Sequence, residues 1–194
     1  MLRGHAEALA PMVQRVMTAA GISFRALQRV GVTTGPGTFT GQRVGLAFAR
    51  ALGVALKVPV VGTTTLHAMA EEALTKAPER WSITVADAKR SEVYLAAYAP
   101  GQKTVVTPRL VFASEVVSAL SDAARVYGFS AVVAGTAAPL LNGAMEAAGY
   151  DIVDSGVRQP NAIFVARLTA NAPHSQIPRP LYLRPPDAKI PPRA

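Results

Sequence analysis

Hydrophobic positions near the start of the chain repeat at helical spacing. Over residues 4–20 they fall on one stripe, which predicts an amphipathic helix. Pro11 lacks an N–H and clashes with the preceding turn, so the regular helix is expected to start near Ala8 or to bend there. Gly21 is a suitable stop, because glycine readily adopts the left-handed conformation that ends many helices.

A glycine-rich turn then joins a short apolar strand, residues 30–34, to a long helix predicted over residues 40–57. A second apolar strand is predicted at residues 58–61. Each interior glycine costs a helix roughly 1 kcal/mol relative to alanine. Small residues nevertheless recur at every fourth position of this helix, beside a bulky stripe of Val44, Phe48, Leu52 and Leu56: Gly41, Gly45, Ala49 and Gly53. We expect the small stripe to let another backbone approach closely, within the chain or from a second chain.

The rest of the chain continues to alternate helices and strands, with a helix at residues 66–75 before Pro78. Pro108 indicates that the third strand of this part lies at a sheet edge or is just starting there. The predicted elements are a hairpin of strands 83–87 and 92–98, a strand at 105–112, a helix over 114–126, a strand at 131–134, helices at 140–148 and 161–171, and an extended strap over 177–194. Ser114 is the predicted N-cap of the helix that ends at Val126.

This alternation predicts an α/β fold with two parts, residues 1–78 and residues 79–194. The first part contains only two predicted strands, and a two-stranded sheet is marginally stable by itself. We therefore expect further strands, either upstream in a longer chain or supplied by a partner.

Charge is unevenly distributed along a chain with a net charge of +8 and no cysteine. Residues 8–70 hold six Lys or Arg and no Asp or Glu, and residues 155–194 hold six against one. Basic segments of this kind are typical of surfaces that bind nucleic acid or an acidic protein. The alternative explanation is codon bias in a GC-rich genome, because the chain has 15 Arg and only 5 Lys. The absence of cysteine and of a long apolar run favours a cytoplasmic protein without a membrane span.

Few residues in the sequence support catalysis. Gly35, Gly37 and Thr38 form a candidate phosphate loop, because a strand, a glycine-rich turn and a helix N-terminus can together bind an anion. The loop has neither the lysine of a Walker A motif nor the spacing of a dinucleotide fingerprint. Asp87 is better explained as a turn cap beside Lys89. The three histidines lack metal-ligand spacing, so no catalytic residue, metal site or cofactor is predicted.

Several segments resemble the TsaB (YeaZ) family, a subunit of the bacterial tRNA threonylcarbamoyladenosine (t6A) machinery. The most specific is residues 35–47, GPGTFTGQRVGLA, which resembles the family pattern GPGSFTGxRxGLA. Residues 4–7, 59–62, 87–94 and 180–189 are also similar to family segments, so the resemblance covers essentially the whole chain.

The resemblance implies an actin, Hsp70 and sugar-kinase-like (ASKHA) fold of two α/β lobes. Family members are regarded as non-catalytic relatives of TsaD, which carries the metal and the threonylcarbamoyl transfer. They dock onto TsaD through two helices, here residues 8–20 and 40–57 by position, and the ATPase TsaE joins the assembly. The expected interface residues are Leu9, Val13, Val16, Gly41, Gly45, Phe48, Ala49 and Leu52. A homodimer is the expected alternative when the partner is absent.

One departure from the family concerns the start of the chain. Family members begin with an Ile-x-Asp-Thr strand and two more strands before the helix that contains Gly4 to Glu7. The first lobe is therefore expected to be N-terminally truncated, with poor stability alone. The leading function is an accessory subunit that reaches tRNA through the complex. The rivals are a kinase-like ATPase or peptidase using the Gly35 to Gly41 loop, and a direct RNA binder through the basic ends.

Overall fold

A computed structural model describes residues 5–174 and 177–185 of the 194-residue chain. The described residues form two sheets with helices packed around them. The elements in chain order are α1 (His5–Ala20), β1 (Val30–Thr33), α2 (Phe39–Leu56), β2 (Val60–Thr63), α3 (Thr65–Lys76), β3 (Trp81–Lys89), β4 (Glu92–Ala99), β5 (Lys103–Phe112), α4 (Val116–Tyr127), β6 (Ser130–Ala134), α5 (Ala138–Ala147), β7 (Asp151–Asp154) and α6 (Ala162–Ala170). None of the described helices is both long enough and apolar enough to cross a membrane.

The first sheet pairs β1 and β2 in parallel, with α2 as the connection between them. Thr38 caps the start of α2, because its side-chain oxygen accepts a hydrogen bond from the Gly41 amide. Lys57 ends the helix in the left-handed conformation. Gly53 brings α2 close to β2, since a Cβ there would lie 2.3 Å from Val60 Cγ2. The small-residue stripe therefore has an intramolecular use at this position.

The second sheet contains the five strands β5, β4, β3, β6 and β7, in that order. The β5–β4–β3 part is antiparallel, whereas β3, β6 and β7 run parallel. One face packs against α4 and α5, with Trp81 and Leu120 in the core. The other face packs against α3, whose Leu66 and Met69 are almost completely buried. Because α3 lies against this sheet, it connects the first sheet directly to the main core.

Several predicted features match the structure. The hairpin of β3 and β4 is present, and β5 with its Pro108 lies at a sheet edge. The predicted stop at Gly21 is also confirmed. Its φ is +65°, its amide bonds to the Thr18 carbonyl at 3.1 Å, and the Ile22 amide bonds to the Met17 carbonyl at 3.2 Å. These two bonds form a Schellman motif.

Other predictions were wrong in detail. Helix α1 is continuous from His5 through Pro11, so it does not start near Ala8. Ser114 does not cap α4; it lies in a short 3-10 turn, and the Glu115 carboxylate instead accepts a hydrogen bond from the Phe112 amide. Strand β7 was not predicted at all.

Residues 177–185, which we call the strap, run from the first sheet to the hairpin of the second without helix or strand structure. Near its start, the Pro178 carbonyl accepts a hydrogen bond from Arg50. In the middle, the Leu181 amide donates to the Thr34 carbonyl at 2.8 Å. Near its end, Arg184 pairs with the Glu92 carboxylate. The extended strap is confirmed over these residues, and the remainder of the predicted segment lies outside the described residues.

Candidate functional site

A cleft of about 620 Å³ separates the two sheets. Its first wall is the glycine loop between Gly35 and Gly41, and its second wall is the end of β3 from Ala86 to Lys89. The segment from Arg158 to Pro160 lines a further side. The candidate phosphate loop therefore faces a cavity large enough for a small ligand.

Inside the glycine loop, Gln42 occupies the space next to the backbone. Its Nε2 donates to the Gly37 carbonyl at 3.0 Å, and a Cβ at Gly35, where φ is +109°, would lie 2.7 Å from its Cδ. The Gly41 and Gln42 amides both bond to Thr38, at 3.2 Å to its hydroxyl and 3.0 Å to its carbonyl. These bonds occupy part of the helix N-terminus that an anion would otherwise use.

The charged groups at the cleft occur as opposite pairs. Lys89 donates to the Asp87 carboxylate at 2.6 Å from its ammonium group and at 2.7 Å from its amide. The side-chain bond from Lys89 is the main reason why the pKa of Asp87 lies below its usual value. Arg158 pairs with Asp154 at 2.6 Å and likewise lowers the pKa of that carboxyl group. Neither carboxylate is suited to take up a proton near neutral pH.

Within the described part of the chain, no group of three His, Asp or Glu side chains is arranged to hold a metal ion. The cleft thus combines a filled glycine loop with neutralised carboxylates. This arrangement can surround a polar ligand, and both carboxylates already have cationic partners.

A second, more apolar groove of about 360 Å³ lies between α1 and α2. Leu9 and Met12 form its α1 side, and Gly41, Val44 and Gly45 are on its α2 side. Met12 is 42% exposed, and nothing lies within 4 Å of a Cβ built at Gly45. This part of the small-residue stripe is therefore open, in contrast to Gly53.

The structure brings most of the expected interface residues to this region of α1 and α2. Val16 is 62% exposed and Gly41 is exposed, whereas Val13 is half-buried. Leu9, Gly45, Phe48 and Leu52 are half-buried as well. Ala49 is the exception, because its exposed fraction is 4% and its side chain lies in the interior of this chain. We omit it from the surface that another molecule could contact.

An aromatic and cationic cluster near the start of α2 was missed by the sequence analysis. The rings of Phe39 and Tyr182 lie 5.5 Å apart between centroids, and the Arg43 guanidinium is 3.7 Å from the Phe39 centroid. Arg43 Nε also donates to the Tyr182 hydroxyl at 3.1 Å. Tyr182 comes from the strap, so the sequence offered no local spacing by which to find the cluster.

A half-buried histidine lies on α3, next to the residues of that helix that line the cleft. The ring of His67 stacks on Tyr98, with centroids 4.4 Å apart and an interplanar angle of 2°. Burial lowers the pKa of His67, and burial raises the pKa of Tyr98 to about 12, partly opposed by its bond to Thr64. His67 is therefore neutral in the folded protein near pH 7.

Comparison with known proteins agrees with this architecture. The family described as "TsaD: tRNA N6-adenosine threonylcarbamoyltransferase" matches residues 1–191. YeaZ from Pseudomonas aeruginosa has a similar fold, with a TM-score of 0.73 at 23% identity, over 94% of this chain and 87% of that chain. The chain is thus a mixed α/β protein of the ASKHA type, and it belongs to the TsaD family.

Sequence relatives define its place within that family. An uncharacterized protein of Mycobacterium tuberculosis strain H37Rv is 34% identical over 189 residues, or 96% of this chain and 78% of that protein. TsaB from Escherichia coli K12, a tRNA threonylcarbamoyladenosine biosynthesis protein, is 35% identical over 96 residues, or 50% of this chain and 42% of that protein. The relatives of the chain thus include TsaB in sequence and YeaZ in fold.

Proposed function

We propose that this chain is a non-catalytic accessory subunit of a t6A modification complex, in which it binds and stabilises a TsaD-like catalytic subunit. The observation that carries the proposal is the open groove between α1 and α2. We define the α1–α2 face by the residues that line this groove or lie beside it on the two helices: Leu9, Met12, Val13, Val16, Gly41, Val44, Gly45, Phe48 and Leu52.

A contrast between two positions of the small-residue stripe, Gly53 and Gly45, supports an intermolecular role for this face. At Gly53, the absent side chain makes room for β2 of the same chain. At Gly45, the space next to the helix is empty, and Met12 and Val16 leave apolar surface exposed nearby. A helix from a partner can approach closely at such a position and bury this apolar surface.

The chemistry of the cleft supports the non-catalytic part of the proposal. Asp87 and Asp154 are both engaged with cations, and Gln42 fills the glycine loop. The catalytic groups then belong to the TsaD-like partner, and a TsaE-like ATPase joins the same assembly. Without its partner the chain forms a homodimer. The complex is cytoplasmic, and tRNA reaches this subunit through it.

Co-purification tests the proposal. The chain and the TsaD-like protein of the same organism are expressed together, with an affinity tag on only one of them. We expect an untagged chain to elute with tagged TsaD-like protein in a fixed ratio through size-exclusion chromatography. Elution of the two proteins in separate peaks at micromolar concentration would overturn the proposed function.

An ATPase or peptidase that uses the Gly35 to Gly41 loop is the second candidate, and the 620 Å³ cleft in front of the loop favours it. Its test is hydrolysis of ATP, and of a casein substrate, by the purified chain alone. A Gly37→Val variant is a suitable probe, because a Cβ there meets only Gln42 side-chain atoms at 3.9 Å. Activity that is present in the wild type and lost in this variant would support the second candidate over the first.

A further inference from the structure

The two basic segments of the chain meet at one exposed cluster. Phe39 and Arg43 belong to residues 8–70, which contain no acidic residue, and Tyr182 belongs to the basic C-terminal segment. Phe39 is 55% exposed, Tyr182 is 46% exposed, and Arg43 is exposed as well. Two aromatic rings and a guanidinium group are therefore exposed together at one place.

The cluster holds its rings in a fixed arrangement, with Arg43 over one face of Phe39 and about half of each aromatic residue still exposed. Arg43 is fixed by its position over Phe39 and by its bond to the Tyr182 hydroxyl. Among the described residues, only its Nε has an acceptor, so its two terminal nitrogens are free to donate. Flat apolar surface and the free donors of Arg43 thus lie side by side.

Unstacked nucleobases next to phosphates match this combination. A base offers a π-face to an aromatic ring or a guanidinium plane, and the adjoining phosphate takes N–H donors from arginine. Paired bases in a duplex cannot reach the rings, because their faces are covered by their neighbours. An acidic peptide would match the charges but would leave the exposed rings without a matching planar group.

We propose that the exposed cluster of Phe39, Arg43 and Tyr182 binds single-stranded RNA by stacking an unpaired base on its rings. The shape and charge of the surface are independent of the proposed function, but the choice of RNA rests on it, because a t6A complex acts on tRNA. The inference goes beyond an indirect role, since it gives this subunit its own contact with unpaired nucleotides.

Fluorescence anisotropy tests the proposal with a labelled 12-nucleotide RNA of mixed sequence, used single-stranded and annealed to its complement. We expect the full chain to bind the single strand more tightly than the duplex. Phe39→Leu and Tyr182→Leu are each expected to raise the Kd for the single strand about 5- to 150-fold, the range typical of one stacked base. Tyr182→Phe keeps the ring but removes the hydroxyl that accepts from Arg43, so it is expected to lose less affinity than Tyr182→Leu.

Phe112→Leu is the matched control, because Phe112 is a 52% exposed phenylalanine on the other sheet. Its Kd is expected to equal that of the wild type, and urea unfolding midpoints confirm that every variant is folded. Equal binding of duplex and single strand would overturn the proposal. So would wild-type affinity in both leucine variants, or an equal loss in Phe112→Leu.

Co-purification with the TsaD-like protein, called capture below, is measured on the same variants and separates this inference from the proposed function. Tyr182→Leu is expected to lose RNA affinity and retain capture. If Phe39→Leu and Tyr182→Leu lose capture but bind RNA normally, the cluster is a protein contact and the RNA proposal is wrong. If the wild type binds RNA through the cluster but captures no TsaD-like protein, the RNA surface is supported and the proposed function fails.

Discussion

Gly45 and Gly53 lie on the same stripe of α2 but have different surroundings. A Cβ at Gly45 meets nothing within 4 Å, whereas a Cβ at Gly53 would lie 2.3 Å from Val60 Cγ2 and 3.1 Å from the Val58 carbonyl oxygen. The stripe therefore has two roles. At Gly53 it allows close packing within the chain, and at Gly45 it leaves a surface that another molecule can approach.

We expect alanine at these two positions to have opposite effects. Gly53→Ala should lower the free energy of unfolding by about 1–2 kcal/mol, because overpacking against Val60 outweighs the gain in helix propensity. Gly45→Ala should raise it by about 0.5–1 kcal/mol, since only the gain in propensity remains. Urea denaturation of the two variants measures both values. Equal effects of the same sign would contradict the packing described for α2.

His67 gives a prediction about pH. Its folded-state pKa lies below the usual 6.5 because its ring is buried, and its Nε2 has no partner among the described residues. As the pH falls below 6.5, the unfolded chain takes up the proton first, so stability should fall through this range down to the lowered folded pKa. Replacement by glutamine should reduce this loss.

Urea midpoints at pH 7.5 and at pH 5.5 measure this effect. The difference between the two midpoints should be smaller in His67→Gln than in the wild type. Identical differences in the two proteins would show that burial of this imidazole does not contribute to acid sensitivity.

At the scale of elements, the strap is fastened to the β3–β4 hairpin by Arg184. Its partner is Glu92, and the two side chains are only 22% and 21% exposed. Arg184 also donates to the Lys89 carbonyl at 3.4 Å. Because the middle of the strap bonds to Thr34 beside β1, this contact ties the two walls of the cleft together.

A double-mutant cycle tests the strength of this tie. We expect Arg184→Met and Glu92→Gln to show a coupling free energy of about 1 kcal/mol in urea unfolding, since the pair is partly shielded from water. The control is the pair of Arg125 and Asp122, whose side chains are 78% and 93% exposed. Its coupling should be below about 0.5 kcal/mol. Equal coupling in the two pairs would argue against a structural role for the end of the strap.

How well each element could be predicted depends on how local its signal is. The α2 helix and the β3–β4 hairpin have strong periodicity and turn residues, and both were predicted. Strand β7 was missed because its four residues, Asp151 to Asp154, are two apolar residues between two aspartates, and tertiary pairing with β6 makes it a strand. The predicted Ser114 cap was wrong because Ser114 lies inside a 3-10 turn, and the residue that precedes the first turn of α4 is Glu115.

The candidate site shows the same limit. The glycine loop and the helix stripe could be read from residues close in sequence, and both were found. The cluster of Phe39, Arg43 and Tyr182 depends on the path of the strap, which no local pattern encodes. Burial of Ala49 likewise depends on which side of α2 faces the interior, and its spacing within the stripe gave no indication of that.

For the whole molecule, the proposed function requires that the α1–α2 face be accessible to the TsaD-like subunit and covered in the complex. The cleft and this face share Gly41 and Gly45, so a bound partner would lie beside the cleft opening. The core of the second sheet does not depend on the α1–α2 face, because it is formed with α3, α4 and α5. Changes on the face should therefore affect assembly more than folding.

The affinity of Gly45→Leu for the TsaD-like subunit tests the central claim most directly. The variant should fold, because its Cβ meets nothing within 4 Å and leucine favours a helix by about 1 kcal/mol over glycine. Gly143→Leu is the matched control, an exposed glycine of α5 that also has nothing within 4 Å of its Cβ. In calorimetric titration, we predict at least a roughly tenfold weaker Kd for Gly45→Leu, from an overpacked interface, and a wild-type Kd for Gly143→Leu. Wild-type affinity in a folded Gly45→Leu variant would contradict the account.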